Sequence, residues 1–145
     1  MSGLEIEEIL RILPHRYPML MVDRVVELDT ENRKIRAVKN VSFDAGYLQG
    51  HFPGEPVMPG VLQVEAMAQT GGILLNRMYG REGQIAYFTG ISQARFRRIV
   101  KPGDQMEIEV ILDRVRLGAA RVKGVVRVNG EVACEAEMSF HMKRG

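Results

Sequence analysis

The chain has 145 residues, 46% hydrophobic and 26% charged, with a formal charge of +2. That size suits one domain with one sizeable core, and that composition excludes a disordered or collagen-like protein. The mild charge, with no basic arm and no glycine-rich phosphate loop, gives no basis for nucleic-acid or nucleotide binding.

The first residues, MSGLEIEEIL, are acidic and lack the basic start and apolar core of a signal peptide, so a cytoplasmic protein is expected. Ile6, Ile9, Leu10 and Leu13 fall at i, i+3, i+4 and i+7, which predicts a short amphipathic helix ended by Pro14. The segment 17-YPMLMVDRVVELD-29 reads as a strand, turned by 30-TEN-32 into 33-RKIRAVKNVSF-43. A Gly/Pro-rich loop follows from about Asp44 to Gly60, and an apolar helix from about Val57 to Tyr79, with Gly80 as its stop.

From there the chain reads as strands at Gln84–Thr89, Ile91–Val100, Gln105–Leu117, Ala119–Val128 and Glu131–His141. The break at Gly90 fits either two strands or one strand with a bulge. Pro102-Gly103-Asp104 and Leu117-Gly118 are turns, and Asn129-Gly130 predicts a two-residue hairpin loop. No linker divides the chain, so residues 1–145 are expected to form a single α+β domain with one main helix and one long antiparallel sheet.

The main helix has no broad polar side. Val61, Leu62, Val64, Ala66, Met67, Ala68, Ile73, Leu74, Leu75 and Met78 surround it, and a helix apolar nearly all round must be covered nearly all round. A curved sheet wrapped about it is the simplest cover. Ala66, Ala68, Gly71 and Gly72 would admit a close approach by that sheet or by a second subunit. Its longest apolar stretch, from Pro56 to Asn76, is interrupted by Gln63, Glu65, Gln69 and Thr70, which makes it a poor membrane span.

Glu65 is the one ionisable side chain between Glu55 and Arg77. A carboxylate in a buried helix is either paired or pushed toward its neutral form, and a neutral carboxyl near pH 7 is a proton donor. The alternative is a carboxylate that meets solvent or a backbone amide through a gap in the sheet. His51 lies in 50-GHFPGEPVMPG-60, where Gly50 and Gly54 permit unusual backbone angles and Pro53, Pro56 and Pro59 stiffen the loop. Such a loop can hold an imidazole as a fixed base; an idle surface histidine is the plainer alternative. Pro59 suits a helix start, which leaves the N–H groups from Gly60 onward without intrahelical partners and able to hold an oxyanion unless water caps them.

A base, an acid and an amide-lined oxygen site suit proton abstraction alpha to a thioester or ketone carbonyl, with loss of a beta hydroxyl. That reaction needs no cofactor. No serine stands in a nucleophile elbow, and histidines at 15, 51 and 141 lack metal-ligand spacing, so no metal is expected. Cys134 alternates in phase with Val132, Ala136, Met138 and Phe140, which predicts a buried structural thiol.

The segments LPHRYPMLMVDRV, GHFPGEPVMPGVLQVEAMAQTGG and ARFRRIVKPGDQ resemble the bacterial 3-hydroxyacyl–carrier-protein dehydratases of fatty acid synthesis, of the FabZ type. The likeness extends over essentially the whole chain. It implies a hot-dog fold, an antiparallel sheet wrapped around a long central helix. It implies dehydration of a (3R)-hydroxyacyl thioester, carried on acyl carrier protein, to the trans-2-enoyl thioester. It makes His51 the base, Glu65 the acid or the group that orients a water, and Gly60 the amide that binds the thioester carbonyl, with Val61 and Phe52 as further substrate contacts. It also implies a homodimer in which His and Glu of one site come from different subunits, and three dimers in a hexamer. The related isomerising dehydratase has Asp at the helix position, so Glu65 points to the non-isomerising type.

Arg95, Arg97, Arg98 and Lys101 form a basic cluster around 91-ISQARFRRIVK-101. Strand alternation puts Arg95 and Arg97 on one face and Phe96 and Arg98 on the other. The cluster is either a solvated edge or, as the resemblance implies, a dock for the acidic carrier protein. Met19, Met21, Met58 and Met67 suit core filling or an acyl tunnel; His15 is expected to be structural and His141 exposed. A hot-dog thioesterase and a non-catalytic acyl-thioester sensor are the competing functions, and neither needs both His51 and Glu65.

Overall fold

The computed structural model describes residues 2–143. A short strand β1 (Ser2–Leu4) leads into helix α1 (Ile6–Ile12), whose start is closed by a capping box between Glu5 and Glu8. Strands β2 (Arg24–Asp29) and β3 (Lys34–Asn40) form a hairpin. Its turn is fixed by Asp29, whose carboxylate accepts the backbone N–H and the side-chain amide of Asn32. A 3₁₀ turn (Gly46–Gln49) precedes the long helix α2 (Gly60–Tyr79). Strands β4 (Ala86–Phe96), β5 (Gln105–Arg116), β6 (Ala119–Val128) and β7 (Glu131–Met142) complete the chain.

All strands join one antiparallel sheet in the order β1-β2-β3-β5-β6-β7-β4. Helix α2 packs across β3, β5, β6 and β7, as the hot-dog arrangement requires. The burial of β5 alternates, with Met106, Ile108, Val110 and Leu112 turned inward; β6 presents Ala120, Val122, Val126 and Val128 in the same way. Against them α2 buries Ala66, Met67, Ile73, Leu74 and Leu75. Gly71 lets this contact close: a Cβ there would sit 3.3 Å from a Val110 methyl carbon.

Two hairpins turn on consecutive positive φ angles, Leu117 (51°) with Gly118 (83°) and Asn129 (51°) with Gly130 (81°). Gly90 interrupts nothing: β4 runs through it as one strand with a register shift between Phe88 and Gly90, so the bulged alternative holds. The segment from Tyr17 departs from expectation. Met19 and Leu20 return their N–H groups to the Arg16 carbonyl, and regular pairing begins only at Arg24. The cluster at residues 95–101 also departs from simple alternation. The ladder ends at Phe96, and Arg97 and Arg98 both donate their N–H groups to the Ala133 carbonyl, so they lie outside the regular alternation.

Cys134 is fully buried, and burial pushes its thiol up to about 12, as expected of a structural cysteine. Met21, Met58 and Met67 are core residues, Met19 is exposed and His141 lies at the surface. No helix among the described residues is long and apolar enough to cross a membrane.

Candidate active site

The loop before α2 is closed by its own backbone. Phe52 and Glu55 exchange N–H···O bonds at 3.0 and 2.9 Å, and the Val57 N–H donates to the His51 carbonyl at 2.8 Å. The His51 Nδ1 atom lies 2.9 Å from the Val57 carbonyl oxygen. A carbonyl only accepts, so Nδ1 carries the hydrogen and the neutral ring presents a bare lone pair at Nε2. The ring is half-buried and stacks on Phe52 with centroids 4.1 Å apart. The loop therefore holds the imidazole in one orientation and one tautomer, which a general base requires.

Helix α2 begins at Gly60, with Pro59 as its N-cap; the Pro59 carbonyl accepts the N–H groups of Leu62 and Gln63, both at 3.1 Å. Pro59 thus precedes the helix instead of filling its first turn. The N–H groups of Gly60 and Val61 have no hydrogen-bond partner among the described residues. They stand at the positive end of a 20-residue helix. An open groove of about 530 Å³ lies beside them, lined by Val57, Met58, Gly60, Val61, Gln63 and Phe96 to Ile99. Gly60 lets the Phe96 ring rest on the helix start: a Cβ would lie 2.7 Å from that ring and oblige it to shift. Val61 and Phe52 are both exposed, Val61 on the groove.

Glu65 lies on a different side of the same helix, on the face shared with Ala68, Gln69, Gly72 and Asn76. Its carboxylate is hydrogen-bonded and remains partly open to solvent. Gln69, one turn on, donates its amide N–H to Glu65 Oε2 at 2.7 Å. The Gln69 amide has no freedom to flip. Its Oε1 accepts the Met21 N–H at 2.7 Å, so its nitrogen must face the Met19 carbonyl and Glu65, each at 2.7 Å. His15 brings Nε2 to 3.6 Å from the same Glu65 oxygen.

His15, expected to be structural, lines the cavity at Glu65, and Gln69 beside it was not singled out at all. Gln69 had a signal: it stands at i+4 from Glu65 on an otherwise apolar helix. His15 had none, since its neighbour is fifty residues away in sequence.

Within one chain these parts fall into separate places. The cavity at Glu65, about 40 Å³, is lined by His15, Pro14, Gln69, Phe88, Phe140 and others, and not by His51. That volume admits water but no acyl chain. Neither His51 nor Glu65 lines the groove at Gly60. Of the basic residues, Arg97 and Arg98 flank that groove and pair with Glu135 (2.5 Å) and Glu131 (3.0 Å). Arg95 is exposed on β4 opposite Glu135, and the Lys101 backbone N–H caps the Asp104 carboxylate.

A family model described as the FabA-like domain matches residues 13–137. The chain belongs to the FabA-like family. Among FabA-like relatives, the 3-hydroxyacyl-[acyl-carrier-protein] dehydratase FabZ of Proteus mirabilis (strain HI4320) is 55% identical over 143 residues, 97% of this chain and 95% of that one. Two solved structures share the fold of this FabA-like chain. The dehydratase heterocomplex ApeI:P from Xenorhabdus doucetiae superposes with a TM-score of 0.79 at 19% identity, over 94% of this chain and 91% of that one. A hypothetical thioesterase with coenzyme A from Streptococcus pneumoniae TIGR4 gives 0.63 at 10%, over 82% and 84%. Such low identities carry the fold alone and leave the reaction to the site residues.

Proposed function

We propose that this chain is a dehydratase that converts a (3R)-3-hydroxyacyl thioester on acyl carrier protein to the trans-2-enoyl thioester, the activity its FabZ relatives are named for. The observation that carries the chemistry is the fixed tautomer of His51, with Nδ1–H on the Val57 carbonyl and Nε2 bare. His51 Nε2 removes a proton from C2, and the electron pair moves onto the thioester carbonyl, whose oxygen the free Gly60 N–H receives. The pair then returns to form the C2–C3 double bond as the C3–O bond breaks. Glu65 protonates the departing hydroxyl, which leaves as water. The proton on His51 passes to solvent and Glu65 takes one up, so the enzyme is restored without a cofactor. Phe52 and Val61 are substrate contacts, and residues 1–145 act as one catalytic domain.

We take His51 and Glu65 of each site from two subunits of a homodimer. Two observations support this. The Glu65 cavity of a single chain is not lined by His51, and β4 leaves one edge unpaired and exposes Tyr87, Phe88, Ile91 and Phe96. An unpaired apolar edge is a pairing surface. Three such dimers making a hexamer, a cytoplasmic location, and carrier docking by Arg95, Arg97, Arg98 and Lys101 complete the reading.

The test is turnover of a 3-hydroxyacyl thioester followed by enoyl-thioester absorbance, with free thiol measured in parallel. Wild type should form enoyl product, and His51→Ala and Glu65→Gln should each lose about a hundred- to ten-thousand-fold in kcat with assembly intact. Thiol release without enoyl product would instead make the chain a thioesterase, and an inert wild type a sensor.

A further inference from the structure

We infer that His15 is a positioning residue for the acid Glu65, holding Oε2 as a proton acceptor so that Oε1 carries the proton that is transferred. The inference rests on the dehydratase reading, in which Glu65 is the acid. His15 lines the Glu65 cavity and directs Nε2 at Oε2 from 3.6 Å. Its other nitrogen, Nδ1, is buried with no hydrogen-bond partner among the described residues. A buried orphan N–H is costlier than a buried orphan lone pair, so the neutral ring keeps its hydrogen on Nε2, facing Glu65.

The charged groups around the ring are Glu65 from α2 and Arg16 from its own segment. The Arg16 guanidinium is turned away, bonded to the carbonyls of Leu10, Leu13 and His15. Burial, the largest influence, pushes the His15 imidazole below its ordinary value; Glu65 opposes this and Arg16 adds to it. The ring is therefore a neutral N–H donor at working pH. Gln69 supplies a second donor to the same oxygen. With two N–H groups aimed at Oε2, a proton there would meet donors on both sides, and Oε1 alone is left to bear it. At 3.6 Å the His15 contact is longer than a made hydrogen bond, which is common in catalytic pairs before substrate closes the site.

Donors on a carboxylate favour its charged form. Removing His15 therefore takes away one donor that favours the charged form and lets the proton sit on either oxygen. The expected result for His15→Leu is a kcat reduced about tenfold with KM for substrate little changed. The alkaline limb of its kcat–pH profile should move upward. His15→Gln, whose amide N–H reaches the place of Nε2, should recover most of the rate and the wild-type profile. Glu65→Gln is run beside them. If Glu65→Gln retains wild-type rates, the acid assignment itself fails. If Glu65→Gln is inactive while His15→Leu and His15→Gln behave alike, or the His15→Leu profile does not move, His15 has no positioning role. Should His15→Leu fail to assemble, the His15→Gln profile decides: a wild-type profile supports the donor role, and a shifted one overturns it.

Discussion

Gln69 is the most constrained polar side chain near the site, and Gln69→Leu gives the sharpest energetic prediction. The residue is 2% exposed and makes three hydrogen bonds of 2.7 Å. Leucine of similar volume leaves the buried Met21 N–H without a partner, and an orphan of that kind costs about 1–3 kcal/mol. The Met19 carbonyl adds little, because Met19 is exposed and water replaces the lost donor. The bond to the Glu65 carboxylate is charge-assisted, but Glu65 remains 18% exposed and regains part of it from water, so roughly 1 kcal/mol is counted. The expected loss is about 2–4 kcal/mol. Urea unfolding at fixed protein concentration, with unchanged slope, measures it. Gln69→Glu is the companion variant. It keeps the acceptor for Met21 but sets a second carboxylate against Glu65, which raises folded-state pKa values above unfolded ones. Its deficit should therefore grow as pH rises through the carboxyl range. A Gln69→Leu change within about 0.5 kcal/mol of wild type would refute the reasoning.

Leu117 holds φ of 51° while 85% exposed, so it has left-handed strain and no burial to lose. Leu117→Asn, matching the Asn129-Gly130 turn, should stabilise by about 1 kcal/mol in thermal unfolding. Cys134, with its thiol at about 12, should resist alkylation in the folded protein and react readily in urea. Charge reversal at Arg97 and Arg98 should raise KM several-fold for carrier-bound substrate and leave a small-thioester substrate unaffected; an unchanged carrier KM removes the docking assignment.

The parts of the fold set by local chemistry were legible in the sequence. The Asn129-Gly130 turn, the apolar α2 and the strands 105–142 follow from turn preference and hydrophobic period. Residues 17–23 misled because their composition favours a strand, while Arg16 captures the Met19 and Leu20 amides and Gln69 captures that of Met21. Arg97 and Arg98 misled for a related reason: alternation assumes a ladder that ends one residue earlier. Of the proposed site, His51, Glu65 and Gly60 stand out in the sequence because a stiff loop, a lone carboxylate and a helix start are local features. His15 does not, since only the packing of the segment after α1 against α2 brings it to Glu65.

The central claim is a two-subunit site with His51 as base and Glu65 as acid, and mixing two inactive variants tests it directly. His51→Ala and Glu65→Gln proteins are dissociated together and reassembled. In a mixed dimer, one of the two sites joins an intact His51 to an intact Glu65. Random mixing should then restore about one quarter of wild-type activity, since roughly half of the dimers are mixed. No recovery above the separate variants, with mixed dimers present, would contradict the shared site. Activity in either variant alone would contradict the acid–base pair.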